Sequence, residues 1–398
     1  MDSYTLPFAA LLLSAGALSD RLGARLGFGL GLVVFIFSSL GCGLAPSLHI
    51  LIAARVFQGA GAALMMPSSM ALIRQGYEDP TQRAHAIALW AMGGSVASTS
   101  GPVLGGLLAA VDWRWIFFIN IPAGLATLAL LKRTSPSPRR VAPFDLWGQI
   151  AAVVTMAALT FGAIEMGSAG AGGTLVLLSL SVAIAALAAF VSLQMRGVHP
   201  MVPPSLFGPR NPKIAMMVGF TFMVGYFGLP FLMSLYLQQQ RGLSPVATGM
   251  TFLPMMLIGL FLTPFSTRLA SRFGSRRVII TGLLLMAAGL SLIAFLPPST
   301  TVPSIGAEMV LVGLSGPLVA PPMASVLLTS VPASLAGTAG GVFNTSRQVG
   351  GALSVATFGS LLTRAPSFLD GFRISLLLAV GLALATAIVS LGLEPANS

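Results

Sequence analysis

Two arginines, Arg55 and Arg347, lie inside long apolar runs. A guanidinium within hydrocarbon is costly, and it usually faces a cavity or a partner. Gln58, Gly59, Ala62 and Ala63 follow Arg55 at +3, +4, +7 and +8, on one helical face. Small residues there let another helix or a substrate approach. The plainer alternative is an arginine near the outer end that snorkels to the interface. Arg347 falls in the middle of its run and shares a 4, 3, 4 stripe with Gly340, Asn344 and Gly351. Asn344 and Arg347 therefore make a polar spot deep in the second half. Glu165 and Glu308 are the only acids clearly inside apolar runs. Each reads either as a proton-binding carboxyl tuned by burial and a cationic neighbour, or as an interfacial carboxylate that reaches water.

Two further constellations concern movement. Gly16–Arg25 reads GALSDRLGAR, with Asp20 beside Arg21 and Arg25 and with Gly23 free to make a tight turn. It is either a latch that pairs across a bundle interface in one state only, or a solvated turn that sets topology. Gly94, Ser98, Gly101 and Gly105 form a second 4, 3, 4 stripe, with Pro102 and Gly106 beside it. That is a close-packing face with a proline able to bend the helix. No enzyme site, cofactor site or metal site emerges. Cys42 is the one cysteine, and His49, His85 and His199 are scattered. There is no zinc-protease, nucleophile-elbow or phosphate-loop motif. Without an ATP site, pumping must draw on an ion gradient or a partner.

The elements that must position these residues are membrane helices. Of 398 residues, 55% are apolar and only 8% charged, against about 25% charged in soluble domains. Mean hydropathy is +0.91. A soluble enzyme, a nucleic-acid-binding domain and a disordered chain are excluded. Thirteen apolar stretches are long enough to span, near 5–24, 26–45, 49–73, 83–110, 114–131, 146–167, 173–195, 213–237, 246–269, 278–296, 302–327, 336–363 and 373–393. They are too long and too uniformly apolar for barrel strands. Of the 21 basic residues, 15 fall in one alternate set of connections, 4 in the other (Arg114, Arg241, Arg364 and Arg373), and Arg55 and Arg347 lie within stretches. The richer set is cytoplasmic, which places the N-terminus outside and the C-terminus inside. No cleavable signal peptide is evident. Two basic, Pro-rich linkers bracket a plain pair of helices. The chain thus divides into a front bundle of five helices (1–131), linkers with a central pair (132–212), and a rear bundle of six (213–398).

An internal repeat supports this division. Leu18–Arg25 (LSDRLGAR) matches Leu269–Arg276 (LASRFGSR) at an offset of 251. Gly59, Leu64 and Pro67 recur as Gly313, Leu318 and Pro321 at an offset of 254. Parallel repeats of helix bundles with a site between them are the plan of many secondary transporters. The rear bundle has two helices before its repeated turn and the front bundle has one. By symmetry the front half lacks its first helix.

These motifs resemble the major facilitator superfamily, and in particular its fourteen-helix drug:proton antiporter branch. GALSDRLGAR looks like motif A, LIAARVFQGAGAA (Leu51–Ala63) like motif B, and GGSVASTSGPVLGG (Gly93–Gly106) like motif C. WRWIFFINIPAG (Trp113–Gly124) and GVFNTSRQVGGAL (Gly341–Leu353) are also typical. The resemblance implies an all-α polytopic membrane protein, two bundles in pseudo-two-fold repeat with two extra central helices, read here as thirteen spans. It implies a monomer in the plasma membrane that exports amphipathic, often cationic, drugs in exchange for protons by alternating access. Gly16, Asp20, Arg21, Gly23 and Arg25 would form the latch. Arg55 and Gln58 would serve proton coupling. Asn344 and Arg347 would lie in or beside the cavity, and Gly94, Gly101, Pro102, Gly105 and Gly106 would form the hinge. Ala24 stands where motif A usually has a second basic residue. The family's acid-bearing first helix is absent, as a start codon placed too late would leave it. The rival readings are an exporter of one endogenous metabolite and an inactive remnant.

Overall fold

A computed structural model describes residues 2–77, 79–137, 145–169, 173–197, 200, 202–297, 299–332 and 336–394. Among them every regular element is helical and no strand occurs. In hydrocarbon a backbone finds no water, so an apolar run must satisfy its own hydrogen bonds as a helix.

The chain forms two compact units. The first comprises Met1–Trp90, Leu107–Gly162 and Leu178–Pro204, and the second Ala91–Gly106, Ala163–Leu177 and Ser205–Ser398. In chain order the helices begin with α1 (Asp2–Leu22), α2 (Ala24–Gly43), α3 (Leu48–Gly76), α4 (Pro80–Val111), α5 (Trp115–Phe118), α6 (Asn120–Leu131), α7 (Leu146–Ala169) and α8 (Thr174–Arg196). They continue with α9 (Arg210–Tyr226), α10 (Gly228–Leu235), α11 (Pro245–Leu262), α12 (Ser266–Phe273), α13 (Ser275–Ala294), α14 (Val302–Thr329), α15 (Ala336–Arg364) and α16 (Phe368–Val389).

Each apolar stretch falls on one helix or one interrupted helical run. The stretch 114–131 breaks at Ile119 between α5 and α6. The stretch 213–237 passes from α9 through α10 into a π turn at Tyr236–Gln240. The stretch 246–269 passes through a 3-10 turn at Thr263–Phe265 into α12. Among the described residues, 8 helical runs are long and apolar enough by themselves to cross a membrane. Trp115–Leu131 and Leu146–Gly162 are shorter apolar helices. The remaining three stretches, on α1, α4 and α15, are helical.

The sequence repeat is a structural repeat. Gly23 turns the chain from α1 into α2 at φ 87°, ψ 136°, and Gly274 turns it from α12 into α13 at φ 83°, ψ 137°. Only glycine adopts that backbone without strain. In the first unit α3 packs along α1 and α2, and in the second α14 packs along α11 and α13. Gly59 brings α3 onto the Tyr4 carbonyl of α1, and Gly313 brings α14 onto the Met255 carbonyl of α11. Tyr4 and Met255 are themselves 251 positions apart. Helix α9 packs on α14, α15 and α16, and Thr221 on it meets Thr386 at 2.8 Å, hydroxyl to hydroxyl. In the first unit Gln194 at the end of α8 donates to Asp145 before α7 at 2.7 Å and accepts from the Val202 amide at 2.8 Å. The central pair is thus locked by polar side chains.

A Cβ at Gly59 or Gly313 would collide with backbone, not with a movable side chain. Overpacking of this kind costs about 1–3 kcal/mol. Gly59→Ala and Gly313→Ala should both lower the apparent melting temperature of the purified protein. Gly381→Ala, where a Cβ meets nothing within 4 Å, should leave it unchanged or raise it. Equal losses at all three positions would contradict the packing described.

Candidate functional site

In the first unit, α3 carries Arg55 and Gln58 one turn apart. Arg55 Nη1 donates to Gln58 Oε1 at 2.7 Å, and Gln58 Nε2 donates to Ser39 Oγ on α2 at 2.7 Å. Gln58 is 1% exposed and Ser39 fully buried. The guanidinium carbon lies 4.4 Å from the centroid of the Tyr4 ring on α1 and 5.6 Å from that of Phe117 on α5. The charge is therefore spread over an amide, a hydroxyl and two aromatic faces. Among the described residues its partners include no carboxylate.

In the second unit, Arg347 lies on α15. Nη1 donates to Asn344 Oδ1 at 3.4 Å, a long bond, and Asn344 Nδ2 donates to the Gly340 carbonyl at 3.1 Å. Arg347 Nε is buried with no hydrogen-bond partner. The Phe343 ring centroid is 5.8 Å from the guanidinium carbon. The neighbouring face of α15 is fastened to α9, and the Phe343 ring and the Arg347 stem lie against Gly219 at its edge. Ser346 Oγ donates to the Met216 carbonyl at 2.7 Å, and Gly350 lies against the Phe220 carbonyl. Gly340 and Gly351, flanking Arg347 on its own stripe, would each present a Cβ to open space.

The Gly16–Arg25 turn closes on the linker that follows α6. The Arg25 amide donates to Ser137 Oγ at 3.0 Å, and Arg25 Nη2 donates to the Lys132 carbonyl at 3.2 Å. Arg21 is exposed, and a Cβ at Gly16 would lie 4.0 Å from Pro67 Cβ. The side chains of Asp20, Pro102 and His85 lie outside the described residues, as does His199. Helix α4 runs unbroken through position 102. A Cβ at Gly94, Gly101 or Gly105 would meet nothing within 4 Å, while one at Gly106 would lie 3.3 Å from Val246 Cγ2 at the start of α11. Glu165 is half-buried. Glu308 on α14 keeps Oε2 buried without a hydrogen-bond partner. Among the described residues no three metal-ligating side chains gather.

The sequence pointed to Arg55 with Gln58 and to Arg347 with Asn344, and the structure pairs each couple. Ser39, Tyr4 and Phe117 escaped it, because their relation to Arg55 exists only across helices. The one available signal was a serine pair, Ser38 and Ser39, inside an otherwise apolar run.

The fold and motifs define a membrane transporter built from two repeated helix bundles. Residues 1–355 match the Major Facilitator Superfamily, and the chain belongs to that family. It is 34% identical over 386 residues, 96% of this chain and 81% of the relative, to the methylenomycin A resistance protein of Streptomyces coelicolor. It is 34% identical over 370 residues, 90% of this chain and 67% of the relative, to the multidrug resistance protein Stp of Mycobacterium tuberculosis. A solved POT family transporter in complex with a thioalcohol conjugated peptide superposes with a TM-score of 0.74 over 98% of this chain and 87% of that one, at 15% identity, and so shares the fold.

Gln58 links Arg55 to Ser39, so Gln58→Leu leaves a half-buried cation and a buried hydroxyl without their partner. A hydrogen bond to a charged group contributes about 1.5–3 kcal/mol, and a neutral one about 1 kcal/mol. Gln58→Leu should therefore lower the apparent melting temperature more than Ser39→Ala does. Thermal unfolding of the purified variants checks the order, and a larger loss in Ser39→Ala would reverse the assignment.

Proposed function

We propose that this protein is a drug or antibiotic exporter of the fourteen-helix drug:proton antiporter branch, residing in the plasma membrane with its C-terminus in the cytoplasm. It exchanges amphipathic molecules for protons by alternating access. The observation that carries this reading is the placement of a guanidinium within the spans of each repeat unit, held only by uncharged groups among the described residues. Such a charge lacks a fixed counter-ion, so its interaction energy is free to change when a substrate or a proton arrives. Glu308, a carboxyl within the span of α14 whose Oε2 is buried without a hydrogen-bond partner, is the proton carrier.

The names of the relatives agree, since one is called a multidrug resistance protein. The other is named for a single antibiotic, which favours a second reading, export of one compound or a narrow set. On either reading Arg55 and Gln58 serve coupling, Arg347 and Asn344 serve the substrate, and the glycines of α4 with Pro102 serve the hinge. The Asp20–Arg25 turn is the cytoplasmic latch.

Expression in a drug-susceptible bacterium should raise the inhibitory concentration of amphipathic antibiotics, and a protonophore should abolish extrusion. A broad gain favours multidrug export and a single gain favours the narrow reading. Arg55→Ala and Glu308→Gln should each reduce gradient-driven export at least tenfold, a loss of about 1.4 kcal/mol of coupling, at equal protein level in the membrane. Export unchanged in both variants would remove these assignments.

A further inference from the structure

The two embedded arginines are compensated unequally. Arg55 has a 2.7 Å hydrogen bond, a relay to Ser39 and the Tyr4 ring at 4.4 Å. Arg347 has one hydrogen bond among the described residues, at 3.4 Å, while Nε is buried and unpartnered. A guanidinium carries five N–H donors in a fixed fork. A buried charge left this short of partners is strongly unfavourable unless something else satisfies it.

No described residue of the second unit does so. Arg347 takes part in no ion pair among the described residues. The stripe that holds Arg347 is open on both sides, at Gly340 and at Gly351. Those glycines are 11 positions apart, about 16 Å along a helix, which is room for a small amphipathic molecule. Helix α15 is held on α9 by Ser346 and Gly350, and the Arg347 stem itself lies against Gly219 of α9, so the guanidinium stands where that contact meets the open stripe. The Phe343 ring beside the guanidinium offers an apolar wall.

Resting on the exporter reading above, we infer that Arg347 binds an anionic group of the exported molecule, a carboxylate or phenolate. The protein thus takes amphipathic acids in preference to amines. Its terminal nitrogens, of which only Nη1 has a hydrogen bond among the described residues and that a long one, fit a planar carboxylate end-on by two parallel hydrogen bonds. An ammonium there meets a like charge, and a neutral amide gains at most one ordinary hydrogen bond. This reverses the expectation of cationic substrates that the family resemblance raises. An anionic lipid headgroup has the same chemistry, and the test separates it.

The test uses the purified full-length protein in neutral detergent and three probes that share one ring: naphthoate, naphthamide and naphthylmethylamine. Equilibrium dialysis should show naphthoate binding about tenfold to a hundredfold more tightly than naphthamide, with the amine weakest. Arg347→Gln should bring naphthoate down to the level of the amide and leave the amide itself unchanged. Arg347→Lys should keep part of the preference. Equal binding of acid and amide to the wild-type protein would overturn the inference. So would an Arg347→Gln variant that loses all three probes alike at an unchanged melting temperature. Displacement of naphthoate by added phosphatidylglycerol would assign the site to lipid and also overturn it. Everted vesicles separate the underlying reading. Selective naphthoate binding without gradient-driven movement keeps the anion site and ends the export reading. Gradient-driven movement of the amine in preference keeps export and ends the anion site.

Discussion

In a bilayer, helices gain nothing from hiding apolar side chains from one another, so they associate where their backbones come close enough for dense contact. Here that contact is made at a few glycines. Gly59 seats α3 on the Tyr4 carbonyl, and Gly313 seats α14 on the Met255 carbonyl. Gly31 and Gly61 bring α2 and α3 together, and Gly282 brings α13 against Val319 of α14. These contacts fix the register of each three-helix group. Register in turn delivers the chemistry. Arg55 is one turn before Gly59 on the same face, so a helix that sets Gly59 against the Tyr4 backbone must also set Arg55 near the Tyr4 ring.

The repeat preserves this packing and discards the polarity. At the offset of 254 that relates Gly59 to Gly313, Arg55 corresponds to Met309 and Gln58 to Val312, both fully buried apolar residues. The scaffold therefore does not need the charge at this position, since the second unit forms the same helix contacts without it. A cation within a span that the fold can dispense with is retained against a cost, and that cost points to use rather than stability. The second unit places its own guanidinium elsewhere, on α15, and surrounds it with less.

Hydropathy and glycine placement made most of the fold legible. Runs of apolar residues have one backbone solution in hydrocarbon, so every expected stretch is helical. The repeated LSDRLGAR and LASRFGSR turns have one conformation because both need glycine at positive φ. The interruptions were harder to place. Pro264 sits in the 3-10 turn before α12, and Phe227 marks the step between α9 and α10. Proline and glycine recur so often in these stretches that no single one announces a break.

The site was legible only to the extent that it lies along one helix. Arg55 with Gln58 and Arg347 with Asn344 are i, i+3 pairs, and helical geometry alone brings such pairs together. Whether a glycine stripe is a packing face or an open one is a different matter, because it depends on the neighbour. On α15, Gly350 and Gly351 are adjacent in sequence and identical in type. One touches the Phe220 carbonyl, and the other faces empty space beside Arg347. Rotation by one residue, about 100° around the helix, separates a contact that holds the bundle from a surface that can receive a ligand. Composition cannot distinguish them. The position of α9 can, and α9 is fixed by Thr221 on Thr386 and by Asn211, whose side chain joins Ser330 to the backbone at Glu394. The openness at Gly351, beside Arg347, thus follows from polar anchors elsewhere in the second unit.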